Sequence, residues 1–147
     1  IGWTRHGPRG RVGAVRKLAM LAGGLGLGFA LVTLVALEGK EVVVLYTASA
    51  TAAPHATRTW IAPEPEGTLL VEAATPERPF LQDLALNPTL DGERQGARQR
   101  CHATILPNPE GHERIRRLLA SRYGWADRWI ALVADTHASL AVRLTCE

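Results

Sequence analysis

The sequence predicts an α+β protein, mainly β with helices, in which a domain of short strands follows one N-terminal transmembrane helix. Three observations carry this. Leu18 to Leu37 contains no charged residue. Beyond that run, short β-branched and apolar segments separated by turn residues fill much of the chain. Only the stretches near 75–87 and 108–133 switch to helical spacing.

As a helix rising about 1.5 Å per residue, Leu18–Leu37 covers roughly 30 Å, the thickness of a bilayer's hydrocarbon core. A buried core helix of that length would carry a polar stripe, and a cleaved signal would have a shorter apolar region before a small-x-small site. Neither pattern is present. Arg5, Arg9, Arg11, Arg16 and Lys17 precede the span, whereas Glu38, Lys40 and Glu41 follow it. The excess of bases assigns residues 1–17 to the cytoplasm as a flexible or membrane-surface tail. Residues 38–147 then form an extracytoplasmic domain, periplasmic in a Gram-negative cell. Within the span Gly24 and Gly28 make a GxxxG pair, and Ala22, Gly26 and Ala30 form a second row of small residues. Such rows let another helix approach closely, although a merely Gly-rich span would read the same.

The net charge of +3 belongs to the tail: residues 1–37 hold five bases and no acid, leaving twelve bases and fourteen acids for residues 38–147. A domain of net −2 offers no nucleic-acid-binding face. Its length suits one small hydrophobic core, hence one domain. Cys101 and Cys146 are too few for a disulfide framework; two buried thiols are the favoured reading over a pair joined across neighbouring strands.

After the span, Glu41–Thr47 (EVVVLYT) reads as a buried strand and Ala48–Ala53 as a loop of small residues. His55–Ala62 alternates as the second strand of a hairpin, with Ala56, Arg58 and Trp60 on one face and Thr57, Thr59 and Ile61 on the other. Pro63, Pro65 and Gly67 turn the chain into a third strand, Thr68–Ala73. Phe80, Leu81 and Leu84 recur at helical spacing within Thr75–Asn87, with Pro79 in the first turn and Asn87-Pro88 as the stop. Extended character returns from Gly92 to Pro107. Asn108 can cap the next helix, Pro109 suits its first position, Glu110 meets the favourable end of its dipole, and Gly124 ends it. A further helix starts at about Trp125, and Ser139–Thr145 closes the domain as a strand. The expected order is β-β-β-α-β-β-α-α-β.

Catalytic motifs are absent. The histidines show no HxH or HExxH spacing, the cysteines no zinc spacing, and no GxSxG, P-loop or GxGxxG occurs. Asp135 and His137, two apart after a helix, read as an ordinary loop.

The segments VVVLYT…PHATRTWIA, TLLVEA, ERPFLQDLALNP, YGWADRW and AVRL resemble the flavin- and deazaflavin-binding split β-barrels. These are the pyridoxamine-phosphate-oxidase-like proteins, nitroreductase and quinone reductase members in particular. The resemblance spans about residues 41–145 and implies a six-stranded barrel, commonly a homodimer, binding FMN or a deazaflavin near its rim. It also assigns Arg58 to the cofactor phosphate, Thr59 and Trp60 to the cofactor wall, and Arg78 to the base that opens the helix after the third strand. Two segments depart from the family. The Ala48–Ala53 loop lacks the base that relatives carry there, and QDLALNPTL has Asp83, Leu86 and Thr89 where polar or basic residues are common. From the residues alone, Arg58 could instead pair with a surface acid, Trp60 could belong to the core, and Trp125 and Trp129 read as packing residues rather than an interfacial belt.

Two functions emerge as expectations. One is a membrane-anchored reductase using FMN or a deazaflavin on a quinone-like or nitro substrate. The other is a non-catalytic accessory subunit, without a cofactor, of a larger respiratory or photosynthetic membrane assembly, docking through its barrel and through a transmembrane helix packed against other subunits at Gly24, Gly26 and Gly28. Membrane lipid is a partner in both.

Overall fold

A computed structural model describes residues 9–48 and 53–147, and only the backbone of residues 9–12. The chain divides between Val35 and Ala36 into two units. The first is most of one long helix, α1 (Arg9–Glu38). Its segment Gly13–Glu38 has a mean hydropathy of 2.2 over its most apolar window, none of which is buried, and it is long enough to cross a membrane. The helix starts at Arg9, so part of the expected tail is helical; residues 1–8 lie outside the described residues. A core helix of a soluble protein would bury its apolar side chains, whereas Leu25 and Leu27 are each 73% exposed.

The second unit, from Ala36, is a closed barrel of six strands: β1 (Val42–Thr47), β2 (His55–Pro63), β3 (Leu69–Ala73), β4 (Thr89–Arg94), β5 (Ala97–Ile105) and β6 (Leu140–Cys146). Around the barrel the order is β1-β2-β3-β6-β5-β4, with every neighbouring pair antiparallel. Closure leaves no free outer strand for edge-to-edge aggregation. Helices α2 (Pro79–Leu86), α3 (Glu110–Tyr123) and α4 (Trp125–Val133) interrupt the strands in the expected order.

Several boundaries differ from expectation for local reasons. The helix expected over Thr75–Asn87 begins only at Pro79, because residues 75–78 form a turn closed by Arg78 N–H on the Thr75 carbonyl, 3.3 Å. The extended stretch after it is two strands joined at Gln95-Gly96, both with positive φ (52° and 79°). A two-residue hairpin of right-handed strands needs that geometry, and Gln is an uncommon residue at its first position. In α3 the Asn108 Oδ1 accepts from the His112 N–H at 3.1 Å, with Pro109 as the half-helical residue before Glu110. Gly124, at φ 54°, both ends α3 and opens α4.

The core has two parts. Inside the barrel, Val43, Leu45, Ile61, Val71, Val142 and Leu144 meet Phe80, Leu81 and Leu84 of α2, which closes one end. Outside it, Trp60, Ala62, Leu70 and Ala141 are covered by Ile115, Leu119 and Tyr123 of α3 and Ala126 of α4. Alternation along β2 assigns Trp60 and Ile61 to opposite parts, as strand geometry demands. Cys101 and Cys146 face each other across β5 and β6 and form a disulfide. The expectation of two unpaired thiols is thus corrected: the register that joins them depends on the closing strand, 45 residues away along the chain.

Candidate functional site

The barrel is hydrogen-bonded all round but not along its whole length. Strand β2 pairs with β3 only from Ile61↔Val71 to Pro63↔Leu69. Before Ile61, residues Thr57–Thr59 pair with β1 alone, and Glu72–Ala73 of β3 pair with β6 alone. The strands part there, and the opening holds a cavity of about 280 Å³. The Thr59 hydroxyl donates to the Glu72 carbonyl across the gap at 3.1 Å.

Arg58, Thr59, Trp60 and Arg78 all line this one cavity. Thr57, Arg58 and Thr59 come from the unpaired edge of β2; Glu72 and Ala74 stand opposite; Arg78 and Phe80 come from the start of α2. Val42 and Ile130 complete an apolar wall, and Leu37 and Glu38 of the last α1 turn form its rim. Trp60 is a core residue as well as a wall residue. It is 9% exposed, its ring centroid lies 4.8 Å from that of Tyr123, and its indole N–H donates to the Leu37 carbonyl at 3.2 Å.

The charges divide unevenly. Arg58 is paired with Glu38 at 2.5 Å, the acid pairing that its sequence also allowed. Glu72 is held by Arg116 at 3.0 Å, and Arg116 reaches Asp127 at 2.7 Å. Among the described residues Arg78 has no carboxylate partner and makes no side-chain hydrogen bond. The lining thus combines an apolar wall of Trp60, Phe80, Val42 and Ile130, two carboxylates already paired with arginines, Glu38 and Glu72, and one uncommitted base, Arg78; Arg58 is free for another anion only when Glu38 is displaced.

Sequence reading missed Glu38, Glu72, Phe80 and Ile130. Glu72 carried a signal, being the lone charge in the apolar strand TLLVEA; the others meet only through the fold. The small-residue loop lies largely outside the described residues, at 49–52, so its lack of a base remains a statement about sequence.

A second acid-centred cluster ties β1 and β2 to α2. Asp83 accepts from the Thr47 hydroxyl at 2.6 Å and lies 2.7 Å from His55 Nδ1. Burial raises its pKa, but the Thr47 and His55 hydrogen bonds outweigh burial and leave it below the usual value. Asp135 accepts from the His137 backbone N–H at 3.0 Å, a loop turn as expected. Among the described residues no group of three His, Cys, Asp or Glu could hold a metal ion. Gly24, Gly26 and Gly28 lie on α1 with nothing within 4 Å of an added Cβ, so none of the described residues covers that row.

No protein-family model matches the chain, and no curated protein matches it. Solved structures do. An F420 reductase is 16% identical at a TM-score of 0.51, with 78% of this chain and 92% of that one covered. A FAD-binding protein from Mesorhizobium loti is 17% identical at 0.50, covering 80% and 89%. The heme storage protein HutZ from Vibrio cholerae is 19% identical at 0.51, covering 76% and 85%. At these identities the likeness shows that this chain shares their fold.

Proposed function

We propose that the chain is a membrane-tethered split-barrel reductase whose cavity holds FMN or a deazaflavin and serves a quinone-like or nitro substrate. One observation carries the reading: Arg58, Thr59, Trp60 and Arg78, from β2 and the start of α2, converge on a single cavity where one arginine is uncommitted. When bound, such a cofactor supplies hydride transfer, which explains the absence of a catalytic triad. The chain's own residues then bind and orient. Arg78 neutralises the phosphate, Trp60 and Phe80 keep water from the ring, and Thr59 holds the two strand edges at a fixed distance. Glu38 competes with the ligand for Arg58.

The exposed apolar helix supports a membrane span, and the bases before it support a cytoplasmic N-terminus with the barrel outside. The Cys101–Cys146 disulfide supports the same placement, since such bonds persist in oxidising compartments.

Titration of FMN and of a deazaflavin onto the purified full chain in detergent tests the reading. Arg78→Ala is expected to weaken binding roughly ten- to a hundred-fold, the worth of a charge-assisted hydrogen bond of about 1.5–3 kcal/mol. Absence of binding by the parent protein at high micromolar concentration of either compound would refute it.

A second reading rests on the uncovered row of Gly24, Gly26 and Gly28. Helices in lipid associate through such rows, so the span could pack against other transmembrane subunits of a larger respiratory or photosynthetic assembly, or against a second copy. In that case the barrel is an accessory piece without a cofactor.

A further inference from the structure

Helix α4 leaves three of its apolar residues outside. Its apolar residues Trp125, Trp129, Leu132 and Val133 recur at the spacing of one helical stripe. In a helix that covers a barrel this stripe would turn inward, yet Leu132 is 81% exposed, Trp125 47% and Val133 43%. The inward face holds Ala126, fully buried, Asp127, 4% exposed and bonded to Arg116, and the partly buried Ile130. Trp129 is half-buried against the outer core, so packing describes Trp129 but not Trp125.

One contact ties this face to the end of the apolar helix: the Lys40 ammonium sits 5.5 Å above the Trp125 ring. Leu37–Lys40 is where the apolar helix ends. The exposed stripe therefore stands beside the point at which the chain leaves the bilayer. Tryptophan with aliphatic neighbours is the composition of headgroup-level surfaces, and Lys40 and the exposed Arg128 offer positive charge to lipid phosphates.

We propose that α4 is an interfacial helix whose Trp125, Leu132 and Val133 rest in the headgroup region of an anionic bilayer. The proposal rests on the reading that Leu18–Leu37 spans that bilayer. It gives the barrel a second attachment beside its tether, so that the domain is held against the membrane rather than swinging from a single joint.

The test uses the full chain in vesicles of phosphatidylcholine and phosphatidylglycerol carrying a doxyl quencher at a shallow acyl position. Tryptophan emission of the parent is expected to be quenched, Trp125→Phe to lose much of that quenching, and Leu132→Trp on the Trp125→Phe background to restore it. Unchanged quenching in Trp125→Phe, with the new tryptophan of Leu132→Trp quenched by aqueous iodide instead, would overturn the proposal. So would protection of position 132 from both quenchers together with a cross-linked dimer in detergent, which would assign the face to a second copy. Flotation of the same vesicles and extraction with alkaline carbonate separate the two readings. Protein that floats and resists extraction while Trp125 stays unquenched removes only the interfacial helix; protein that fails to float removes the span and this inference with it.

Discussion

Removing the Cys101–Cys146 bridge should cost the barrel a large part of its stability. The bond joins residues 45 apart in sequence. Closing a loop of that length removes about 13 cal/mol/K from the unfolded chain, or about 4 kcal/mol at 25 °C. A domain of about 110 residues unfolds with roughly 2.1 cal/mol/K per residue, so the loss corresponds to a fall in Tm of roughly 15–20 °C. The double variant Cys101→Ala/Cys146→Ala would be melted in detergent and followed by tryptophan fluorescence, since Trp60 is buried against Tyr123 and reports the barrel. Cys101 also packs against Gly92, where an added Cβ would lie 3.4 Å from its Sγ, so truncation to Ala adds a small packing loss in the same direction. Parent protein treated with reductant keeps both sulfurs and isolates the cross-link. A reduced parent melting within about 3 °C of the oxidised one would refute the entropic argument.

Three further outcomes rest on the geometry. Asp83, Glu64 and Glu41 are each raised by burial but lowered further by their hydrogen bonds, to Thr47 and His55, to Arg143 and Thr68, and to Arg122 and Arg94 respectively. Carboxyls whose folded pKa lies below the unfolded value stabilise above the unfolded values of 3.8 and 4.5, and that stability is lost as pH falls below them. Melting temperature should therefore drop on acidification from about pH 5 to pH 2, and Asp83→Asn should make the drop shallower. Tyr123→Phe strands the Ile61 carbonyl, which now accepts from the Tyr123 hydroxyl at 2.6 Å, and should cost about 1–3 kcal/mol in denaturant titration. Gly26→Leu with Gly28→Leu keeps the span apolar and should preserve membrane insertion while abolishing co-purification with any transmembrane partner in mild detergent; a variant that remains bound would show that the glycine row is not the contact.

The sequence by itself determined what local chemistry determines. An uncharged run of helix-compatible length made α1, alternation made β1 and β2, and the Asn108-Pro109…Gly124 punctuation bounded α3 to within a residue or two. The order of all the barrel's elements was legible for the same reason, because each element is selected by residues adjacent in the chain. The four residues assigned from the resemblance line one cavity, but Arg58 and Trp60 also show their ordinary readings: one pairs with Glu38 and the other belongs to the core. What only the tertiary structure decided depends on register between distant segments. Cys101 meets Cys146 because β6 returns between β3 and β5. The cavity exists because β2 and β3 stop pairing at Ile61 and Val71, a property of two strands together and of neither alone. The exposure of Trp125, Leu132 and Val133 on α4 was equally hidden: periodicity shows that a helix has an apolar face, but which of its residues turn outward is settled by what packs on the other side, here Ala126, Ile130 and an Asp127 already committed to Arg116.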